Sequence, residues 1–106
     1  MAKFMCSVTY SADGAKGLIK DGGSKRKEVV IKALNAIGGS LEAFYFTLGE
    51  HDVVLICDVP DAVSGVALSL AVNSSGAARL ALTQLITPAE MDAASKKTTV
   101  YTVPGA

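Results

Sequence analysis

Apolar positions recur along the chain with two different periods. In residues 3–10, KFMCSVTY, the apolar set Phe4, Cys6, Val8 and Tyr10 alternates with a mixed set. The run ends in Ser-Ala-Asp-Gly, so the pattern predicts a strand. Residues 14–37 change to helical composition, interrupted at Gly22-Gly23. Before the break, Ala15 to Lys20 reads as a short turn of helix or an ordered loop. After it, Ser24 is a candidate cap for a fresh helix with Val30, Ile31, Leu34 and Ile37 on one stripe. Gly38-Gly39 supplies the left-handed residue that ends that helix.

The second half repeats the alternation of strand and helix. Residues 40–48, SLEAFYFTL, predict an aromatic-rich strand, and Gly49-Glu50-His51 a tight connection. Asp52 to Val59 predicts a third strand, apolar at every position from Val53 to Cys57. A continuous apolar run implies that both faces are covered. Pro60-Asp61 stops the strand, and Asp61 caps a helix with Val63, Val66, Ala67 and Leu70 on one side. Asn73 to Gly76 closes it, and Ala78 to Ile86 predicts a fourth strand, again apolar on both faces. Thr87-Pro88-Ala89-Glu90 has the form of a capping box with proline at the first helical position. The helix it starts runs to about Lys97, followed by an extended tail from Thr99 to Pro104.

The order β-α-β-β-α-β-α defines an α+β chain of ferredoxin-like type, βαββαβ with an added C-terminal helix. It predicts one domain over 1–106, built on a four-stranded antiparallel sheet with two helices on one face. Interior strands that are apolar on both sides need cover on the helix-free face as well. The same face of a second copy supplies it and closes a two-fold barrel of eight strands, a dimeric α/β barrel.

Composition sharpens this expectation. Half of the residues are hydrophobic and 19% are charged, below the ~25% usual for soluble domains. Such a chain is short of charge to cover its own surface, which points to a homo-oligomer. Ten basic and ten acidic residues balance to zero, which argues against nucleic acid as a partner. No apolar run approaches the ~18 residues of a membrane span, and the first ten residues have no signal-peptide core. Cys6 and Cys57 read as free thiols of a reducing cytoplasm.

The candidate chemistry is sparse. His51, the one histidine, lies between Glu50 and Asp52, and a carboxylate beside an imidazole can orient it as a general base. The same residues equally suit a plain turn. One histidine and two distant cysteines have no zinc-ligand spacing, so no metal is expected. No cofactor is expected either, and haem in particular is disfavoured because the one candidate axial histidine lies in a turn between strands. Gly22 to Lys27 places glycines, a hydroxyl, Lys25 and Arg26 at a helix start, a corner able to hold a phosphate or carboxylate. Lys16 and Lys20 extend the basic stretch, and a helix break with solvated cations is the plain alternative. Tyr10 and Tyr45, on strands, are candidates for ligand contact. Glu42 and Asp58 are charges within apolar strands, and Arg79 is placed to pair with one of them. Cys6 and Cys57 suit the core better than catalysis.

With these elements in place, the chain resembles the GYD-domain family of small bacterial proteins. The likeness rests on AKGLIKDGGSKR (15–26), GGSLEAFYFTLGEHDVV (38–54) and DVPDAVSGVALSLAVNSSGA (58–77). It implies a dimeric α/β barrel of unassigned function. The family is named for Gly, Tyr and Asp after the second strand; Gly49 and Asp52 match, and His51 stands where tyrosine is usual.

Three functions fit these residues. The first is a homo-oligomer that binds a small molecule between sheet and helices, in a pocket closed by Lys16–Arg26 and lined by Tyr10, Tyr45 or His51. The second is a cofactor-free enzyme, monooxygenase- or isomerase-like, using His51 and Asp52. The third is a regulatory or assembly protein whose product is a surface. The first is the reading the sequence favours.

Overall fold

A computed structural model describes residues 1–106. It has eight elements: β1 (Ala2–Tyr10), α1 (Ala12–Asp21), α2 (Gly23–Ala36), β2 (Ser40–Phe46), β3 (Val53–Val59), α3 (Ala62–Ser74), β4 (Ala78–Leu85) and α4 (Pro88–Ser95). The strands form one open antiparallel sheet in the order β2-β3-β1-β4. This is the ferredoxin-like arrangement that the element order implies.

The core follows from strand alternation. Phe4, Cys6 and Val8 on β1, and Val53, Leu55, Cys57 and Val59 on β3, all turn to the helix side and are buried. Leu34 of α2 is fully buried against them. Each such aliphatic side chain contributes roughly 1.5–3 kcal/mol by leaving water. The two thiols lie 3.9 Å apart, and the hydrogen bond to Cys57 together with burial pushes the Cys6 thiol up from its ordinary range. Both cysteines are free and serve as packing groups.

Local structure departs from the sequence reading in four places. The stretch read as a turn or loop is a full ten-residue helix, α1, because Ser11 caps it by accepting from the Gly14 amide. α2 begins one residue before Ser24, with Gly22 at its N-cap and no side-chain cap bond. It ends as expected at Gly38, whose φ is +77°. α3 carries the anticipated Asp61 cap, and the Ser64 backbone amide holds the Asp61 carboxyl below its usual range. Its inward side, however, is Gly65, Leu68 and Val72, whereas Val63, Val66 and Leu70 face outward and are exposed. The fourth departure is on the sheet itself, where Val54 and Ile56 of β3 are only half-covered.

α1 is pinned at its start. Ser11 donates through both its amide and its hydroxyl to the Ala77 carbonyl. Gly14 sits so close to that carbonyl that an added Cβ would stand 2.0 Å from its oxygen.

The C-terminal part leaves the body. The expected capping box is present, with Glu90 N bonded to Thr87 Oγ1 and Thr87 N to Glu90 Oε1. Yet every residue from Ile86 to Ala106 is exposed. The long axis reaches 57 Å, and the radius of gyration is 16.9 Å where about 13 Å is usual for this length. No helix is long and apolar enough to cross a membrane.

Candidate functional site

Beneath α2 and α3 lies an apolar cavity of about 80 Å³. Val8 and Leu55 form its floor, Val29, Val30 and Ala33 its α2 wall, and Leu68 and Val72 its α3 wall. It adjoins a wider cleft of about 360 Å³ beneath α1, bordered by Gly14, Gly17, Leu18, Asp13 and Asp21. Tyr10 and Arg26 border both spaces and so stand at their junction. Arg26 is the single charged residue on the cavity wall.

Both side chains are placed by backbone chemistry around them. Tyr10 is the last residue of β1, and its amide donates to Asp52 Oδ2 at 2.8 Å. Asp52 in turn donates through its own amide to the Val8 carbonyl at 2.8 Å. This carboxylate therefore extends the β1–β3 ladder by one rung and fixes the turn from which the Tyr10 ring enters the cavity. Arg26 belongs to the first turn of α2, one helical step before Val29, Val30 and Ala33, so it shares their inward face. Its guanidinium makes no ion pair; both ion pairs of the molecule belong to Lys3. Neither the guanidinium nor the Tyr10 hydroxyl has a hydrogen-bond partner in the protein.

The other residues singled out from the sequence lie elsewhere. Lys16 and Lys25 are exposed and border neither space. Tyr45, paired with Val54, stands 70% exposed on the helix-free face. His51 also opens to that face, in a polar recess of about 380 Å³ with Ser7, Thr9, Glu50 and Arg79. Its Nδ1 lies 3.2 Å from Thr9 Oγ1, and its carbonyl accepts from the Thr47 hydroxyl. The Asp52 carboxylate, expected beside the imidazole, is bonded instead to the Tyr10 amide.

Arg79 does not take an acid partner. Lys3 bridges Asp58, its register partner, at 3.1 Å and reaches Glu42 at 2.6 Å. A register irregularity between Leu41 and Ala43 frees Glu42 for this contact. The Glu42 bond and then the Asp58 bond raise the Lys3 ammonium above its ordinary range.

The sequence motifs, the strand order and the cavity all sit within one stretch, and a family model for the GYD domain matches that stretch, residues 4–95. The chain belongs to the GYD-domain family. No curated protein and no solved structure matches it. In this GYD domain the match runs from β1 to the end of α4 and takes in Tyr10, Arg26, His51 and Asp52. Of the residues singled out from the sequence, Tyr10 and Arg26 line the apolar cavity, and Val29, Leu68 and Val72, which also line it, carry no such expectation. Spacing holds the signal for the last two, since Gly65, Leu68 and Val72 recur at helical intervals opposite the Val63, Val66 and Leu70 side.

Proposed function

We propose that this GYD domain is a homo-oligomeric protein that binds a small molecule between its sheet and helices. The observation that carries the reading is the apolar cavity whose polar groups, Tyr10 and Arg26, have no partner in the protein. Preformed apolar pockets with a few convergent polar groups are the usual form of small-molecule sites. α1, with no buried residue and an inward side of Gly14, Gly17 and Leu18, is the cover of the outer cleft.

Self-association rests on area. The chain exposes 7329 Å², against about 5,600 Å² for a folded monomer of its 10.9 kDa mass. The excess per chain is about twice the ~800 Å² that each partner gives up in a standard interface, so it covers one such interface with area to spare. The helix-free sheet face, with Met5, Val54, Ile56 and Tyr45, and the exposed C-terminal arm are the surfaces to be covered. Closing the sheet on a second copy gives the dimeric α/β barrel. Two buried free thiols suit a cytoplasmic setting.

A second reading is favoured by one observation. His51 lines a polar recess with Arg79 and Glu50, and its Nε2 has no protein partner, as a general base in a cofactor-free enzyme requires.

Native mass spectrometry of protein purified from its own host tests the first reading. A dimer or larger assembly that carries an added small-molecule mass, lost in an Ala33→Trp variant that fills the cavity, is the expected result. A bare monomer would overturn it. An empty oligomer whose turnover of an enolisable substrate disappears in His51→Ala would transfer the function to the second recess.

A further inference from the structure

We infer that the cavity selects a small hydrophobic acid: a molecule with a compact apolar body and one carboxylate, held by Arg26 and Tyr10. This rests on the pocket reading above and specifies its ligand.

The inward side of α2 continues as Arg26, Val29, Val30, Ala33, so a cation occupies a position where the helix otherwise presents only aliphatic side chains to the cavity. Arg26 is half-exposed, so water solvates its guanidinium in the empty protein, and a ligand that displaces this water must pair with it. The protein provides no such partner, since its ion pairs are confined to Lys3, Glu42 and Asp58. A guanidinium presents a planar fork of donors that matches the two oxygens of a carboxylate. Tyr10, whose backbone amide is held by the Asp52 carboxylate, borders the same two spaces and offers its phenol as a third donor.

Position decides the orientation. Arg26 and Tyr10 border both the inner cavity and the outer cleft, whereas Asp13 and Asp21 border the outer cleft alone. The polar side chains at the junction are therefore an arginine and a phenol, and the acids lie beyond it, toward α1. A ligand carboxylate at the junction meets donors, and its apolar body points inward among Val8, Leu55, Leu68 and Val72. Size limits that body. An apolar cavity of ~150 Å³ holds benzene, so about 80 Å³ suits a short branched chain or part of one ring, with any further bulk in the cleft under α1.

The test uses three probes of one shape on the full chain: phenylacetate, phenylacetamide and phenethylamine, by titration calorimetry. Phenylacetate is expected to bind at least about tenfold more tightly than the amide, the scale of one charge-assisted pair. In Arg26→Met this preference disappears while amide binding persists, and in Arg26→Lys, which keeps the charge and loses the fork, part of it returns. Thermal melting of both variants checks that the half-exposed position is not needed for folding. Equal binding of acid and amide would mean that the guanidinium extends to solvent, overturning the inference and leaving the pocket reading intact. Tighter binding of the amine, lost in Asp13→Asn/Asp21→Asn, would overturn it in favour of the two acids. No binding of any probe, with an Ala33→Trp variant indistinguishable from wild type in host-purified mass, would remove the pocket and the inference together.

Discussion

The two faces of the sheet have the same backbone and opposite fates. On the helix side, Cys6, Val53, Cys57 and Val59 are at most 1% exposed, packed beneath α2 and α3. On the other side, Met5, Val54 and Ile56 occupy equivalent rungs and are only half-covered, beside an exposed Tyr45. The polar groups divide in the same way. The helix side leaves Arg26 and Tyr10 unpartnered at the rim of a cavity, while the helix-free side ties Lys3 to Asp58 and Glu42 across three strands. One face is finished within the chain around a small apolar cavity. The other is unfinished within the chain, and its apolar rungs are the kind of surface that a second copy covers.

The largest expected effect breaks the finished face. Leu34→Ala removes a fully buried side chain and is expected to cost about 2–5 kcal/mol in urea unfolding. A loss below about 1 kcal/mol would mean that α2 is not clamped to the sheet as described. Next comes the unfinished face. Ile56→Asp, at a half-covered rung, is expected to weaken self-association by about 100-fold, since an unpaired charge buried in an interface costs several kcal/mol. Light scattering across a dilution series reads it, and an assembly that survives unchanged would place the interface elsewhere. The smallest effect belongs to the arm. Thr87→Ala removes the capping box of a helix that no buried residue anchors. It is expected to loosen α4 in amide exchange while moving the main unfolding transition by less than about 0.5 kcal/mol in the dissociated chain. A larger shift would show that α4 packs on the body.

The contrast between faces also explains what could be read in advance. Strands were legible because alternation is strict on β1 and because aromatic and β-branched residues fill β2 and β3. The α4 capping box and the Asp61 cap of α3 were legible because their chemistry is local. α3 was misread in orientation because it is apolar on both sides, so periodicity alone could not rank Val63, Val66 and Leu70 against Gly65, Leu68 and Val72. The deciding factor is a contact: a Cβ at Gly65 would stand 3.6 Å from the Phe4 ring, so the glycine marks the close-approach side. α1 was underestimated because its cap, Ser11, lies directly after a strand and its helix has no buried residue to give a stripe. At the cavity, Tyr10 stood out as a polar group on an apolar strand and Arg26 as part of the basic helix start after Gly22-Gly23, and the fold brings the two to one wall. His51 and Tyr45 were assigned to the same pocket because chain distance does not tell which face of a sheet a residue occupies. Asp52 beside His51 looked like an acid–base pair. In the fold its carboxylate turns toward the end of β1, a partner 42 residues away.

The middle of the sheet is made first. β1 is the earliest strand to be synthesised, yet Cys6 stands opposite Leu55 on one side and Leu82 on the other. An apolar strand therefore leaves the ribosome with neither neighbour available, and both of its hydrogen-bonding edges stay open while most of the chain is still being added. Closure over such separations is the slow step for small domains and the period of greatest risk of aggregation. β4 is the last strand to arrive, so it is the strand that covers the second edge of β1 and completes the sheet.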